Sequence, residues 1–477
     1  MNRSCAFAGS LEDRLVKHLA RPDLQEDLCF AIWRPSRGKV RTSALLHQII
    51  LPTTGDRDVH GNAAFRSGYF QRTLDTALQV GGGIAFLHSH PLGAGWQGLS
   101  PDDYRAEEGM AGAVHSATGL PLVGLTLAVR DGTWSARFWE RSGKWRRYKP
   151  QFCESVRVVG DRLAISFNPR LLPIPKFGEE VVRTISAWGE RIQGDLSRIK
   201  VGIVGLGSVG SIIAEALART GFREVLLLDF DFLTEINLDR TLNAAPADAR
   251  HKRSKVRIAA RAYRKSACVR PVSVDVCEFS VCEDEGYRRA LDCDVLFSCV
   301  DRPWPRSVLN FVAYAHDIPV VDGGIHVSRK PNGTMRGADW KAHIAAPGRR
   351  CLECLGQYDP GLVAAERDGF VDDPSYMEKL PGDHPLKAKE NVFAFSLGTA
   401  SLEVLQLLMM VVAPSGVGAY GAQNYHFVTG AADIDVKGCE SNCLYPPLIS
   451  LGDEAGHPGT VPEHAIATLA RERSLAE

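Results

Sequence analysis

The strongest constraint on the fold is a glycine turn between an apolar strand and a helix. Gly205, Gly207 and Gly210 form a G-x-G-x-x-G pattern directly after an apolar segment that begins at Lys200. The order strand, glycine turn, helix, strand is typical of the βαβ units of a doubly wound parallel sheet. The glycines let the backbone approach phosphates, and the helix N-terminus adds a positive dipole. The segment therefore predicts a Rossmann-like, nucleotide-binding α/β domain.

Length and charge restrict the class of protein. A chain of 477 residues can form two or three domains that each bury a core. The 56 basic and 56 acidic residues balance, which argues against nucleic acid or an acidic membrane as a partner.

The apolar stretch 402–413 contains Glu403 and Gln406 and is too short to cross a bilayer, so it predicts a buried helix. No signal peptide is indicated at residues 1–5, and twelve cysteines in so long a chain fit a reducing cytoplasm.

Changes of pattern divide the chain into four segments. Residues 1–150 alternate helical and strand-like patterns and predict an α/β domain, with strands at 28–33, 44–51 and 83–88, helices at 66–79 and 102–116, and a hairpin at 122–139. Pro169, Pro173 and Pro175 mark a linker over 151–178. Residues 179–446 form the second, doubly wound domain. The Gly/Pro-rich residues 447–477 are expected to be a flexible tail.

The residues that follow the glycine turn indicate a triphosphate ligand. Asp229 ends the next apolar strand, the place of a ribose-binding acid. Arg240 and Lys255 can neutralise phosphates, and Asp301, at the end of another apolar strand, can hold Mg²⁺. The glycine pattern alone would also fit a dinucleotide, so an NAD-binding domain is the alternative.

This combination resembles the ThiF/MoeB/E1 superfamily of enzymes that activate ubiquitin-like proteins. The similarity extends over residues 176–445 and rests on D-x-D at Asp229, N-L-x-R at Asn237, a downstream lysine and C-V-D at Asp301. The resemblance implies adenylation of a C-terminal carboxylate, with Arg240 and Asp301 catalytic. It further implies a set of residues that bind ATP and magnesium: Gly205, Gly207, Gly210, Asp229, Asp231, Asn237, Arg240, Lys255 and Asp301.

Two basic residues have alternative interpretations within this resemblance. Lys252 competes with Lys255 for the role of the ATP-binding lysine. Arg183 lies in a segment similar to the helix before the family's first strand, where an arginine reaches into the partner subunit's ATP site. That match implies a homodimer, whereas a solvated helix charge is the other interpretation of Arg183.

The first domain carries a pattern of zinc ligands. His88 and His90 end a predicted strand and point the same way, because strand side chains alternate with period two. Asp103, on the first turn of the next helix, can complete a site with one open position, as in catalytic zinc centres. Glu26 is the candidate general base and Ser100 the candidate hydrogen-bond donor to an oxyanion.

The pattern H-x-H-P followed by S-x-x-D resembles the JAMM (JAB/MPN) family of isopeptidases over residues 10–145. The resemblance implies that His88, His90 and Asp103 bind zinc, that Ser100 is the oxyanion serine and that Glu26 is the catalytic glutamate. The alternative is a pair of structural histidines, as in JAMM relatives that have lost the metal.

The cysteines suggest a second, structural zinc ion. Two close pairs can supply four thiolates to one tetrahedral ion; they are Cys351, Cys354, Cys439 and Cys443. Four unrelated buried cysteines are the alternative. Between the pairs, where E1-like enzymes usually keep a nucleophilic cysteine, residues 355–392 contain none. The remaining cysteines are expected to be buried, so the acyl-adenylate would pass to a thiol or amine of another protein, or to a hydroxyl such as that of Ser375.

Together these patterns predict a bifunctional, bacterial-type enzyme of a ubiquitin-like system. The first domain would cleave at the C-terminus of a carrier protein, and the second would adenylate the exposed carboxylate. The expected partners are a ubiquitin-like or sulfur-carrier protein that ends in glycine, an E2-like protein and a second copy of the chain; the expected cofactors are ATP, Mg²⁺ and two Zn²⁺ ions, one catalytic and one structural. The alternatives are a sulfur-carrier adenylyltransferase with a processing protease, and a scaffold whose hydrolase domain is inactive.

Overall fold

A computed structural model describes residues 1–60, 62–143, 147–381, 384–387 and 390–475 of the chain. The chain divides into two compact units. The first contains residues 1–173 together with two later segments, 315–317 and 447–456. The second contains residues 174–314, 318–446 and 457–477. Each unit has its own sheet.

The first unit is built on a mixed sheet of nine strands among the described residues, in the order β11-β10-β1-β3-β2-β6-β7-β8-β9. A separate hairpin is formed by β4 and β5. The strands are β1 (Asn2–Ala8), β2 (Leu28–Arg37), β3 (Arg41–Ile50), β4 (Arg57–His60), β5 (Asn62–Phe65), β6 (Gly83–His90), β7 (Leu122–Ala128), β8 (Thr133–Ser142), β9 (Arg147–Phe152), β10 (Ser155–Val159) and β11 (Leu163–Phe167). The helices are α1 (Gly9–Leu19), α2 (Ser67–Val80) and α3 (Pro101–Thr118).

Both faces of this sheet are covered, which explains why the central strands β2 and β6 carry apolar side chains on both faces. Strand β2 alternates between the two cores: Cys29 packs on the face covered by α1, and Phe30 on the face covered by α2 and α3. Strand β6 alternates in the same way, with Leu87 on the α1 face and Phe86 on the other. The period of two therefore directs the side chains of His88 and His90, at the end of β6, toward the face that holds α3.

The second unit is a doubly wound sheet with an antiparallel extension. Its strands lie in the order β14-β13-β12-β15-β16-β17-β18-β19, of which the first five are parallel. They are β12 (Lys200–Val204), β13 (Glu224–Leu228), β14 (Ser273–Cys277), β15 (Val295–Ser298), β16 (Val320–Arg329), β17 (Met335–Ala345), β18 (Ala422–His426) and β19 (Ala431–Asp435). The order reverses between β12 and β15, so the topological switch point lies there.

The helices of the second unit connect and cover these strands. They are α4 (Val182–Trp188), α5 (Glu190–Arg198), α6 (Ser208–Thr220), α7 (Pro246–Arg250), α8 (Lys255–Ser266), α9 (Asp284–Ala290), α10 (Pro303–Ala315), α11 (Pro360–Arg367), α12 (Pro374–Lys379), α13 (Phe393–Val412) and α14 (Ala465–Leu475). In the described part of the chain, α13 is the one helix long and apolar enough to cross a membrane, and half of its most apolar stretch is buried. The core helix of a folded domain can have the same length and composition, and this agrees with the buried helix predicted at 402–413.

The structure confirms the doubly wound second domain and the main elements of the first. The predicted strands at 28–33, 44–51 and 83–88 correspond to β2, β3 and β6, and the predicted helices to α2 and α3. The predicted hairpin 122–139 corresponds to β7 and β8, joined around Asp131.

Two boundary predictions require correction. The expected linker 151–178 contains β10 and β11, and β10 pairs in parallel with β1, so most of this segment belongs to the first sheet. The chain passes to the second unit only at Ile174. The expected flexible tail 447–477 is also structured as far as it is described: residues 447–456 belong to the first unit, and α14 belongs to the second. Its last two residues lie outside the described residues.

Candidate functional sites

The glycine turn lies at the switch point of the second sheet, between the end of β12 and the start of α6. Gly205 has φ +91°, and a Cβ atom there would lie 2.4 Å from the carbonyl oxygen of Cys299. A Cβ atom on Gly210 would lie 1.9 Å from the carbonyl oxygen of Gly205. Gly207, which caps α6, has open space around its Cβ position. Two glycines are thus required by packing, and the third leaves the backbone open to a ligand at a helix N-terminus.

Three carboxylates and one ammonium group gather beside this turn. The Lys255 Nζ donates to Asp231 Oδ2 at 2.7 Å, and the side chain also interacts with Asp229 and Asp301. Burial alone would lower the pKa of Lys255, but the three carboxylates outweigh it and raise the pKa. The ammonium group therefore stays charged, and the excess of carboxylates favours a divalent cation. This set of oxygen donors fits Mg²⁺ bound together with a nucleoside triphosphate.

Asp229 links the cluster to the glycine turn. Its two oxygens accept hydrogen bonds from the backbone N–H groups of Leu206, at 2.6 Å, and Asp231, at 2.8 Å. Burial raises the pKa of this carboxyl to about 6, although the Lys255 ammonium opposes the shift. The predicted ribose-binding acid thus also holds the turn in shape.

The remaining predicted residues of this site make local contacts. Asn237 Oδ1 accepts hydrogen bonds from the backbone and hydroxyl of Thr234, and this caps a short 3-10 helix at Glu235–Asn237. Arg240 donates to the Ile236 carbonyl and to Asp239. Lys252 is exposed in a turn with φ +41°, so the structure brings Lys255, and not Lys252, into the carboxylate cluster.

Arg183 lies on α4, and its side chain is exposed. Exposure is compatible both with a solvated helix charge and with a contact to a second subunit. The nearby Gln193 is buried and structural: it accepts from Trp188 Nε1 at 3.1 Å and donates to the Thr220 carbonyl at 2.9 Å.

Sequence reasoning missed a buried polar cluster under the Asp301 loop. Arg306, on α10, donates to Asp322 at 2.8 Å and to the Val300 carbonyl at 2.8 Å. Asp322 also accepts from Ser298, its neighbour in the register of β15 and β16. No local sequence pattern marks these residues, because they are joined only when β16 pairs with β15.

In the first unit, the structure brings together the three predicted zinc ligands. His88 Nε2 lies 3.4 Å from Asp103 Oδ1, and His90 Nε2 lies 3.5 Å from Asp103 Oδ2. Ligands bound at about 2.0–2.1 Å to a tetrahedral ion are roughly 3.4 Å apart. Burial would raise the pKa of Asp103, but the interactions with His88 and then with His90 outweigh it and hold the pKa well below its usual range. The spacing and donor types fit a zinc ion.

Glu26 lies beside these ligands. Leu28 pairs with His88 in the antiparallel register of β2 and β6, so continuing that register brings Glu26 opposite His90. Burial raises the pKa of Glu26, and its charge interacts with both histidines and with Asp103. The two carboxylate oxygens of the neighbouring Asp27 accept hydrogen bonds from the Arg57 guanidinium, at 2.5 and 2.8 Å, and this ion pair fixes this end of β2.

Ser100 is the N-cap of α3. Its Oγ accepts from the Asp103 N–H at 3.1 Å, and its own N–H donates to Asp103 Oδ2 at 2.9 Å. This capping box fixes the Asp103 carboxylate at the start of the helix. The exposed hydroxyl keeps its proton available for donation.

A buried network behind the predicted metal ligands was not foreseen from the sequence. Arg137 forms an ion pair with Glu107 and donates to Thr126 Oγ1 at 2.7 Å, and Thr126 Oγ1 lies 3.4 Å from His88 Nε2. A Cβ atom at Gly124 would collide with Glu107 Oε2, so this glycine makes room for the ion pair. Thr126 and Arg137 lie on the apolar strands β7 and β8, whereas Glu107 lies on α3, so no local sequence pattern marks the network.

The four predicted cysteines form a second group that could hold a metal ion. The sulfur atoms of Cys351 and Cys443 are 3.6 Å apart, close to the spacing of about 3.7 Å around a tetrahedral zinc with Zn–S bonds of about 2.3 Å. Backbone N–H groups of Cys351 and Cys354 donate to the sulfurs of Cys439 and Cys351. The hydrogen bond from Cys351 lowers the pKa of Cys439 to about 5, although burial opposes the shift. Thiolate character of this kind suits zinc.

All twelve cysteines are free thiols. As predicted, Cys5, Cys29, Cys153, Cys277, Cys282 and Cys293 are buried, whereas Cys268 and Cys299 are partly exposed. Burial raises the pKa of the Cys299 thiol well above its usual value. Cys268 follows α8 and precedes β14, at the amino ends of the parallel strands. It therefore lies at the edge of the sheet opposite the glycine turn.

Comparisons with known proteins match part of the chain. The ThiF family model matches residues 181–414. Ubiquitin-like modifier-activating enzyme 5 of Drosophila sechellia is 27% identical over 228 residues, which cover 43% of this chain and 52% of that protein. Molybdopterin-synthase adenylyltransferase of Escherichia coli K12 is 30% identical over 134 residues, or 28% of this chain and 51% of that protein. The chain thus spans about half the length of the curated relatives it matches.

Among solved structures, E. coli MccB with ATP aligns with a TM-score of 0.43 and 16% identity, covering 56% of this chain and 74% of that one. The family match begins within the 3-10 turn before α4 and ends just after α13. It includes the glycine turn, the carboxylate cluster and the first cysteine pair. The match therefore identifies residues 181–414 as a domain similar to the ThiF family.

Proposed function

We propose that the second unit adenylates the C-terminal carboxylate of a small carrier protein. The observation that carries this proposal is the convergence of Asp229, Asp231, Lys255 and Asp301 on the glycine turn at the switch point of the sheet. The relatives named as a ubiquitin-like modifier-activating enzyme and as an adenylyltransferase support it. The carrier is of the ubiquitin-like or sulfur-carrier type, ends in glycine, and is presented to a homodimer.

The reaction joins the carrier to AMP. A carboxylate oxygen of the carrier attacks the α-phosphorus of ATP, the bond from that phosphorus to the bridging oxygen breaks, and pyrophosphate leaves. The amides at the start of α6 and the Lys255 ammonium bind phosphate oxygens. Asp301, with Asp231, would hold Mg²⁺, which supplies positive charge beside the phosphates. Positioning and charge neutralisation account for most of such a step.

In this proposal the acyl-adenylate is consumed outside the chain. Residues 355–438 contain no cysteine. The partly exposed Cys268 lies at the edge of the sheet opposite the glycine turn, and burial raises the pKa of the Cys299 thiol well above its usual value. A thiol or amine of another protein, such as an E2-like protein, is therefore the acceptor. Ser375 is the alternative on this chain: it is exposed, and its hydroxyl donates to Asp373 at 2.9 Å.

ATP–pyrophosphate exchange tests this function. We expect exchange that depends on a glycine-ended carrier and that falls by about 100-fold or more in Asp301→Asn. Asp275→Asn, on the exposed side of β14, is the matched control and should exchange like the wild type. Equal exchange in both variants would refute the assignment of the site.

We further propose that the first unit is a zinc-dependent hydrolase that cleaves at the C-terminus of the same carrier. The spacing of His88, His90 and Asp103, with Glu26 beside them, favours this second function. Zinc held by these ligands would supply a Lewis acid next to the scissile carbonyl. Glu26 accepts the proton of the attacking water and returns it to the leaving amine. The Ser100 hydroxyl donates to the carbonyl oxygen as it gains charge.

Cleavage of a carrier fused at its C-terminus to a reporter tests the hydrolase. We expect cleavage to be lost with a chelator and in Glu26→Gln. Glu108→Gln, an exposed position of α3, serves as the matched control. Cleavage that survives both the chelator and Glu26→Gln would exclude this active site. A zinc-bound first unit that binds the carrier without cleaving it would favour the scaffold interpretation.

A further inference from the structure

The loop that follows His90 contains a side chain directed back at that histidine. The Gln97 side-chain oxygen lies 3.0 Å from His90 Nδ1. A Cβ atom on Gly93 would lie 2.9 Å both from this oxygen and from His90 Cβ, so the close approach requires a glycine there. The contact is thus built into the loop and does not depend on a freely rotating surface side chain.

The orientation of the Gln97 amide is fixed by its other partners. Gln97 Nε2 lies 2.9 Å from the carbonyl oxygen of Ala94 and 2.9 Å from that of Gly95. Carbonyl oxygens only accept hydrogen bonds, so the amide nitrogen must face them. The amide oxygen therefore faces His90, where it can only accept, and Nδ1 must carry the proton.

This assignment decides which nitrogen of His90 can bind a metal. In the neutral imidazole, the form that binds a metal ion, a proton on Nδ1 leaves the lone pair on Nε2, the atom that faces Asp103 at 3.5 Å. His88 lacks an equivalent partner within the described part of the chain: its Nδ1 is buried without a hydrogen bond. The loop is itself anchored, because the Gln97 N–H donates to Ser135 Oγ at 2.7 Å and the Gly95 N–H donates to Asp131 at 2.7 Å.

We propose that Gln97 is a positioning residue for the metal centre, which holds His90 in the tautomer and orientation that present Nε2 to zinc. This inference rests on the proposed hydrolase site and adds to it a residue outside the ligand set. Hydrogen bonds to the second nitrogen of a metal-binding histidine fix the ring and raise its basicity, and their loss typically weakens metal binding by about 10- to 100-fold.

Zinc affinity, measured by competition with a chelator on the full chain, tests the proposal. The zinc lost in Asp103→Asn identifies the signal of this site and separates it from the four-cysteine site. We expect about 10- to 100-fold weaker binding in Gln97→Leu. Gln97→Glu should recover most of the affinity, because a carboxylate still accepts from Nδ1–H.

Two controls separate a direct effect on His90 from a general effect on the loop. Ser135→Ala removes an anchor of the loop without touching the His90 contact, and Gln48→Leu changes an exposed glutamine of the same unit. Both should bind zinc within about twofold of the wild type. Wild-type affinity in Gln97→Leu, or equal weakening in Ser135→Ala, would overturn the inference. Identical zinc binding by the wild type and Asp103→Asn would instead refute the hydrolase site itself.

Discussion

Asp229 and Lys255 show how single residues combine structural and chemical roles at the nucleotide site. Asp229 accepts from two backbone amides and so shapes the glycine turn, while its charge helps to keep Lys255 protonated. Lys255 is 11% exposed and is surrounded by carboxylates. A bound triphosphate would bring further negative charge to the same ammonium group. This position is therefore more sensitive to loss of charge than the neighbouring surface lysines.

Separate replacement of Lys255 and of Lys252 tests which of the two lysines binds the phosphates. We expect Lys255→Ala to reduce ATP–pyrophosphate exchange by about 100-fold or more, because it removes a buried positive charge from the phosphate site. Lys252→Ala, three residues earlier on the exposed turn, should stay within a few-fold of the wild type. A larger loss in Lys252→Ala than in Lys255→Ala would reverse the assignment.

A second prediction at this scale concerns the four-cysteine group. Cys443→Ser should abolish zinc binding at this site and lower the resistance to denaturation, because structural zinc binding is coupled to folding. Cys268→Ser is the control, since its thiol donates to the Ser266 carbonyl and does not belong to the four-cysteine group. Metal analysis and thermal denaturation measure both effects. Unchanged zinc content in Cys443→Ser would favour four unrelated cysteines.

At the scale of elements, local sequence patterns predict the strands and helices that carry the candidate sites. They do not predict β10, β11 and α14, whose positions depend on contacts with residues distant in the sequence. Strand β6, with its two histidines, and helix α3, with its Ser100 cap, are marked by periodicity and by a capping box. The strands β10 and β11 were assigned to a linker because Pro169, Pro173 and Pro175 follow them closely. Their place in the sheet depends on pairing with β1 at the other end of the unit, which local periodicity cannot reveal.

Helix α14 is another element whose order comes from distant contacts. Arg471 donates to both oxygens of Glu283, at 2.9 and 2.7 Å, and stacks over the Phe279 ring. We expect Arg471→Ala to lower the free energy of unfolding by about 1–3 kcal/mol, because a buried carboxylate loses its charged partner. Arg473→Ala, an exposed position of the same helix, should have little effect. Chemical denaturation compares the two, and equal stability would restore the prediction of a loose tail.

On the scale of the whole molecule, the two proposed functions would place two sites for one flexible carrier tail on a single chain. The metal group of the first unit would expose a carboxylate, and the carboxylate cluster of the second would activate it. Covalent linkage raises the effective concentration of the cleaved carrier near the second site. Exchange at the second site would therefore report cleavage at the first.

The Glu26→Gln variant tests whether cleavage by the first unit supplies the carboxylate that the second unit adenylates. With a carrier that has a C-terminal extension, the variant should show no ATP–pyrophosphate exchange, because an amide-linked glycine offers no carboxylate to the α-phosphorus. With the mature, glycine-ended carrier, the same variant should exchange at the wild-type rate, because Glu26 lies in the first unit and the adenylation residues lie in the second. Asp301→Asn should give the opposite result, namely cleavage of the extended carrier without exchange. If the Glu26→Gln protein exchanged with the extended carrier as fast as the wild type, the first unit would not be the processing enzyme for the second.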